Sequence, residues 1–264
     1  MEYFDTHAHY DDEKFDEDRE EVLDKIYKAG VTKCVDIGCD VETSKKAIQI
    51  ANSHDFVYAM CGIHPSEIAS NQDEIQQDIE EIKNLAKSNS KVIAIGEIGL
   101  DYHWPGFDKE MQKFAFIKQV ELSNELNLPI AIHTRDAVDD TIAVIREHKV
   151  NRGGILHCCP FNRELVKHGL EQGYHIAFGG TSTFKNSKNA CEIVNMVPDD
   201  RILIETDSPY LSPEPFRGTR NDSSNLKYVV QKLAEFRNST PAEIAKLTYN
   251  NAIKLFTKGD RFQM

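Results

Sequence analysis

Eight short apolar runs recur along this chain, and charged segments of helical period separate them. The runs are YFDTHAH at 3–9, TKCVDIG at 32–38, FVYAMCGIH at 56–64, KVIAIGEIG at 91–99, LPIAIH at 128–133, GGILHC at 153–158, YHIAFGG at 174–180 and RILIETD at 201–207. The segments between them, near 16–29, 41–53, 70–88, 108–127, 136–148, 160–171 and 183–196, read as helices, and two more follow near 222–237 and 241–257. Strands separated by helices must pair in parallel through right-handed crossovers. Eight such units predict a closed (β/α)8 TIM barrel with an extra C-terminal helix. A doubly wound open sheet is the alternative, but no GxGxxG follows the first run and the chain has no P-loop. With no linker, low-complexity tract or shift in composition, residues 1–264 read as one domain.

Local punctuation agrees with this division. Thr240-Pro241 followed by Glu243 is a helix start, Asn127-Leu128-Pro129 separates a helix from a strand, and Gly30, Gly153 and Gly173 stand at helix ends. A chain of 264 residues buries a large core without disulfides, and its six cysteines, several of them in apolar runs, form no CxxC pair. The first run begins almost at Met1 with no leader pattern ahead of it, and no run reaches the roughly 18 apolar residues of a membrane span. The expectation is a cytoplasmic protein with no membrane association and no obligate protein partner. A net charge of −12 argues against binding nucleic acid through a broad basic surface. It leaves room for a local site where metal ions supply the positive charge.

The ten histidines sort into two groups. His54, His148 and His168 fall in polar helical segments, and His175 opens the seventh strand, away from a barrel's active face. His7 and His9 end the first strand, His64 follows the third, His103 sits in the loop after the fourth, and His133 and His157 end the fifth and sixth. In a parallel barrel all these ends lie on one face, where active sites are built. Glu97 ends the fourth strand, and Glu205 and Asp207 end the eighth. Strand alternation puts Asp5, His7 and His9 on one side and Thr6 and Ala8 on the other. One HxH is a weak signal; HxH joined by Glu97, His133, His157 and Asp207 from four other strands predicts a metal centre. Four imidazoles and two carboxylates exceed the needs of one ion, so two divalent cations are expected, with Glu97 placed to bridge. The mixed nitrogen and oxygen donors suit Zn²⁺, Mn²⁺ or another first-row ion better than Ca²⁺.

These residues resemble the TatD-type metal-dependent deoxyribonucleases of the amidohydrolase superfamily. The resemblance rests on DTHAH at 5–9, GIHP at 62–65, GEIGLDYH at 96–103, PIAIHTR at 129–135, LHC at 156–158, QGYHIAFGG at 172–180, IETDSPYL at 204–211 and RGTRN at 217–221. It implies His7, His9 and Asp207 on one metal, His133 and His157 on the second, Glu97 between them, and Asp207 as the general base toward water. The implied activity is Mg²⁺- or Mn²⁺-stimulated hydrolysis of DNA phosphodiesters with 3′–5′ exonuclease character, so DNA is the expected partner. Phosphotriesterase-like relatives use a carboxylated lysine at the end of strand four; here Lys91 stands at the start of that run and Glu97 takes the end. Where the family commonly reads HCFSG, this chain has His157-Cys158-Cys159-Pro160-Phe161, a change that bears on substrate fit.

Around the centre, His64, Arg135, Arg217 and Arg220 are candidates for phosphate binding, and Glu205 for supporting a metal-bound histidine. Asp101 and Tyr102 are placed to line the cleft. Tyr102, His103, Trp104 and Phe107 form an aromatic loop that either stacks a base or covers the barrel mouth. The acidic run DDEKFDEDREE at 11–21 reads as a solvated helix start, though beside the cleft it would repel DNA. Two other readings stand: a metal-dependent amidohydrolase or esterase acting on a small ester, amide or phosphoester, and a non-catalytic barrel, which predicts degraded ligands.

Overall fold

The computed structural model describes residues 1–106 and 108–257. Its eight strands are β1 (Tyr3–Ala8), β2 (Val31–Ile37), β3 (Val57–Cys61), β4 (Val92–Asp101), β5 (Ile130–Arg135), β6 (Gly154–Leu156), β7 (His175–Phe178) and β8 (Ile202–Ile204). Each pairs in parallel with the next in chain order. The sheet closes just past β8, where Ala8 bridges Ser208. The helices among the described residues are α1 (Arg19–Lys28), α2 (Val41–Ser53), α3 (Gln72–Ser88), α4 (Lys109–Leu126), α5 (Val138–Glu147), α6 (Arg163–Glu171), α7 (Ala190–Met196), α8 (Leu226–Arg237) and α9 (Pro241–Thr257). The chain is a (β/α)8 barrel, as the alternation predicts. Several helices start later than their period suggests, because short 3₁₀ turns at Glu13–Phe15 and Ser223–Asn225 precede α1 and α8.

Caps explain most boundaries. Asp40 caps α2 in a reciprocal box with Thr43, and Asn71, Asp108 and Asn162 each accept from the first turn of α3, α4 and α6. Thr240 and Glu243 exchange hydrogen bonds at the start of α9. Asn127 takes the left-handed conformation that ends α4.

Two apolar layers hold the barrel. The inner cluster takes side chains from all eight strands, among them Phe4, Val35, Tyr58, Ile155 and Leu203, and, among the described residues, from one helix, α9. There Phe256 packs on Phe4 with ring centroids 5.5 Å apart. Asn251 donates to the Asp199 and Ile202 carbonyls and ties α9 to the start of β8. The extra C-terminal helix therefore plugs the N-terminal end of the barrel, leaving the opposite end for loops. The outer cluster lies between strands and surrounding helices.

Register shifts interrupt the strand pairing at several points, and two of them bear on the site. Asp5 pairs with Cys34 but Ala8 with Asp36, so three steps along β1 match two along β2. Ile95 pairs with Ile130 and Ile98 with Ile132, the same mismatch on β4. Each is a bulge, and a bulge re-aims the side chains beyond it. On β1 it separates Asp5 from the histidines, so Asp5 does not share their face. Its carboxylate instead accepts from Thr206 N and Oγ1, Ser223 Oγ and His7 N, stapling β1 to the β8 end and the entrance to α8.

Truncating Asp5→Ala leaves these buried donors unpaired. It is expected to cost at least about 3 kcal/mol in urea unfolding, with Asp5→Asn, which keeps one acceptor, costing less.

Candidate metal centre

At the open end of the barrel the bulges on β1 and β4 turn His7 and Glu97 inward. His7 Nε2 and His9 Nε2 lie 3.3 Å apart. Glu97 Oε2 is 3.3 Å from the first and 3.6 Å from the second, and Asp207 Oδ1 is 3.8 Å and 3.4 Å from them. A tetrahedral ion with bonds of about 2.1 Å needs its ligands about 3.4 Å apart. These five separations match that edge, so the donor set fits a first-row divalent cation. His9 Nδ1 faces the Ile37 carbonyl at 2.8 Å, which assigns the proton to Nδ1 and frees Nε2 toward the centre.

The other oxygen of Glu97 serves a second group. Oε1 is 2.7 Å from His133 Nδ1, 3.1 Å from His157 Nε2 and 3.7 Å from His64 Nε2. One carboxylate thus divides its oxygens between two nests of imidazoles, the arrangement a bridging ligand requires. Gly99 makes this possible, since a Cβ there, at φ +142°, would stand 2.0 Å from the His133 carbonyl oxygen. Lys91 is far from the centre and donates to the carbonyls of His54, Asp55 and Val57.

The electrostatics favour cations. Burial pushes the Glu97 carboxyl up, but the surrounding imidazoles, His157 foremost, and the hydrogen bond from His133 outweigh it and hold it well below its ordinary value. Asp207 is likewise held low, burial being outweighed by the hydrogen bond from His9 and by the neighbouring imidazoles. Burial and His157 push His7 down, into its neutral, ligand-ready form. His157 is also pushed down by burial, but Glu205 and Glu97 hold it well above the usual range. Cys39 and Asp207 do the same for His9. Protons therefore balance the carboxylates until a cation displaces them. Asp207 sits at φ +58°, a conformation costly for a non-glycine residue and concentrated at functional sites.

The remaining candidates divide. Glu205, fully buried, accepts from Cys158 N at 2.6 Å and stands 3.3 Å from His157 Nδ1, behind that imidazole. Asp101 lies 3.2 Å from His133 Nε2. Arg135 lines the cavity. Arg217 lies over the Phe184 ring at 4.3 Å, beside the cavity wall. Arg220 is not brought to the cleft: its guanidinium is clamped to Asp18 and the Lys14 carbonyl. His103 pairs with Asp136 on the surface, and Phe107 lies outside the described residues. Sequence reasoning passed over two thiols. Cys39 Sγ is 3.9 Å from His9 Nδ1, and Cys158 lies with His157 and Asp207. Neither was read as a possible donor from the sequence; only the closed barrel places them at its mouth.

The cavity above the centre measures about 1380 Å³. That exceeds the roughly 300–1,000 Å³ of small-ligand pockets. Pro160, Phe161, Phe184 and Tyr210 contribute an apolar wall, and Asp11, Asp12, Glu13, Asp40 and Glu42 an acidic one. The start of the acidic run thus lies at the cleft rather than wholly in solvent, with Asp11 itself buried.

A (β/α)8 barrel whose strand ends converge on two imidazole–carboxylate nests has the architecture of a metal-dependent hydrolase. Comparison with known proteins agrees. The family model for TatD related DNase matches residues 4–257. The chain is 42% identical over 254 residues to an uncharacterized metal-dependent hydrolase, YabD, of Bacillus subtilis, covering 96% of this chain and 98% of that protein. It is 36% identical to another, YcfH of Escherichia coli, covering 96% and 94%. The crystal structure of YJJV, a TatD homolog from Escherichia coli, superposes with a TM-score of 0.90 at 28% identity over 97% of this chain and 98% of that one. The chain belongs to the TatD-related DNase family and is a metal-dependent hydrolase of that family.

Two outcomes are expected. Stripping cations with a chelator lowers the melting temperature by about 5–15 °C, reversed by divalent cation, because a bound ion is worth about 3–4 kcal/mol at high saturation; Glu97→Gln shrinks that shift. Cation binding at neutral pH displaces protons held by His9 and His157, so an indicator dye in weak buffer registers acidification.

Proposed function

We propose that this protein is a deoxyribonuclease that hydrolyses phosphodiester bonds with two divalent cations, Mg²⁺, Mn²⁺ or Zn²⁺. The division of Glu97 between two imidazole nests carries this reading, since paired cations a few ångströms apart suit in-line displacement at phosphorus. Family membership and the size of the cavity support it. His7, His9 and Asp207 would hold one cation, His133 and His157 the other, and Glu97 would join them. When bound, the cations neutralise the phosphate and make water acidic enough to attack at neutral pH.

The chain's own groups do the rest. Asp207, ionised because its pKa is held low, takes the proton of the attacking water. His64 is neutral, since burial pushes its pKa down to about 3. Its Nδ1 accepts from Ser66 N at 3.1 Å, so Nε2 carries the hydrogen and donates toward Glu97 or a phosphate oxygen in the cavity. Glu205 keeps His157 oriented. Arg135 and Arg217 offer planar forks to the phosphates flanking the scissile bond. Cleavage from a 3′ end is part of this proposal, as implied by the resemblance.

The acidic wall of Asp11, Asp12, Glu13, Asp40 and Glu42 favours a second reading, a metal-dependent esterase or amidase for a small ester, amide or phosphoester, because it repels a long polyanion. A single assay separates the two. Metal-loaded protein is incubated with end-labelled single-stranded DNA and with a panel of small esters, amides and phosphoesters, with a chelator control. The nuclease reading expects chelator-sensitive DNA cleavage to dominate, and no cleavage by fully loaded protein rejects it. Asp207→Asn is expected to lower kcat by about 10²–10⁴-fold.

A further inference from the structure

Helix α4 buries two glutamines. Gln112 and Gln119 are each 1% exposed and stand seven residues apart, two turns along one face. The face a helix turns to a barrel is ordinarily apolar, and Ala115 and Phe116 between them follow that rule. A buried amide is tolerated only when its donors and acceptors are met. Here the backbone of two other segments meets them. Gln119 Oε1 accepts from Ile63 N at 2.7 Å, and its Nε2 donates to the Ile63 carbonyl at 3.0 Å. Gln112 Oε1 accepts from Asp101 N at 3.0 Å, and its Nε2 donates to the carbonyls of Asp101 at 3.0 Å and Pro65 at 3.2 Å.

These bonds fall where the sheet stops helping. Pairing between β3 and β4 ends at Cys61 and Ile95, while β4 runs on to Asp101. Each glutamine takes both backbone groups of one residue, as a neighbouring strand would. Gln112 also joins the two segments, holding Asp101 and Pro65 through one amide nitrogen. The residues so held flank the second nest, the imidazoles around Glu97 Oε1. Ile63 and Pro65 are the chain neighbours of His64, whose Nε2 is 3.7 Å from that oxygen. Asp101 Oδ2 is 3.2 Å from His133 Nε2, and His133 Nδ1 is 2.7 Å from the same oxygen. The His64 and His133 rings meet edge to face with centroids 4.4 Å apart. Among the described residues, neither amide bonds to β1 or to the segment after β8, which carry His7, His9 and Asp207.

We propose that Gln112 and Gln119 are positioning residues of the second nest: through Ile63, Pro65 and Asp101, α4 fixes where His64 and His133 stand against Glu97. An apolar side chain of the same size would fill the space under these loops, so the amides are there for their bonds rather than their volume. Partners one bond behind metal ligands commonly change cation affinity by about 10–100-fold. The inference rests on the two-cation reading above and adds to it what sets the affinity of one cation of the pair.

The test is a calorimetric titration of the chelator-stripped full chain with Mn²⁺, at a temperature where circular dichroism shows each variant folded. His9→Ala removes a donor of the first nest and so identifies which binding event belongs to it. Gln112→Met and Gln119→Met keep the length of the side chain and delete its hydrogen bonds. Gln112→Met is expected to weaken the second-nest event about 10–100-fold while the first-nest event moves by no more than about twofold. Gln119→Met, acting only through Ile63 and His64, is expected to weaken the same event by less. Should Gln112→Met not fold, Gln112→Glu, which keeps the acceptor for Asp101 N, is titrated in its place with the same expectation. A purely structural role moves both events alike or neither. Either result overturns the positioning role and leaves the two-cation reading standing, whereas a single binding event in the unaltered protein overturns both.

Discussion

Everything at the open end of this barrel depends on how β1 meets the segment after β8. His9 N donates to the Ser208 carbonyl at 2.7 Å and Asp207 N to the His7 carbonyl at 2.9 Å. Those two bonds close the sheet, and the same four residues span the HxH pair and its opposing carboxylate. Closure and the first metal nest are therefore one structural event. The Asp5 carboxylate reinforces it from behind, joining residues about 200 positions apart through Thr206 and Ser223. At the opposite end α9 packs against Phe4 and completes the inner layer.

Electrostatics sets the second condition. Glu97 is buried among imidazoles drawn from β1, β5 and the loops after β3 and β6. A buried carboxylate is tolerated only when paired, and here five histidines crowd it. In the cation-free protein, protons must supply the balance. Bound divalent cations would supply it instead, and the separations of 3.3–3.8 Å around His7 and His9 are close to those a tetrahedral site needs. Under the proposed nuclease reading, the same local supply of positive charge would let an acidic protein act on a polyanion.

Much of this was legible before folding. Eight apolar runs alternating with helical periods led directly to the barrel, and the strand-end positions of His7, His9, Glu97, His133, His157 and Asp207 led to the candidate centre. What failed was local. Asp5 was placed with the histidines because alternation has period two, and the bulge on β1 breaks that period. Arg220 looked like a free phosphate fork, but α1 approaches the loop after β8 and Asp18 captures it. The acidic run looked solvated, although its first residues turn into the cavity. Cys39 and Cys158 were not read as members of the centre. Each error concerns a partner far away in the chain, which no residue pattern announces.

The sequence by itself determined the order and kind of elements, because apolar periodicity and capping residues act over a few neighbours. It also determined the chemical inventory at the strand ends. Tertiary structure alone decided which of those groups meet. Bulges on β1 and β4, compelled by their pairing with β2 and β5, turned His7 and Glu97 inward and Asp5 away. Closure of the barrel then converted a scatter of imidazoles along about 150 residues into two nests sharing one carboxylate. The physical reason is that side-chain direction in a sheet depends on register, and register is a property of the paired strands together.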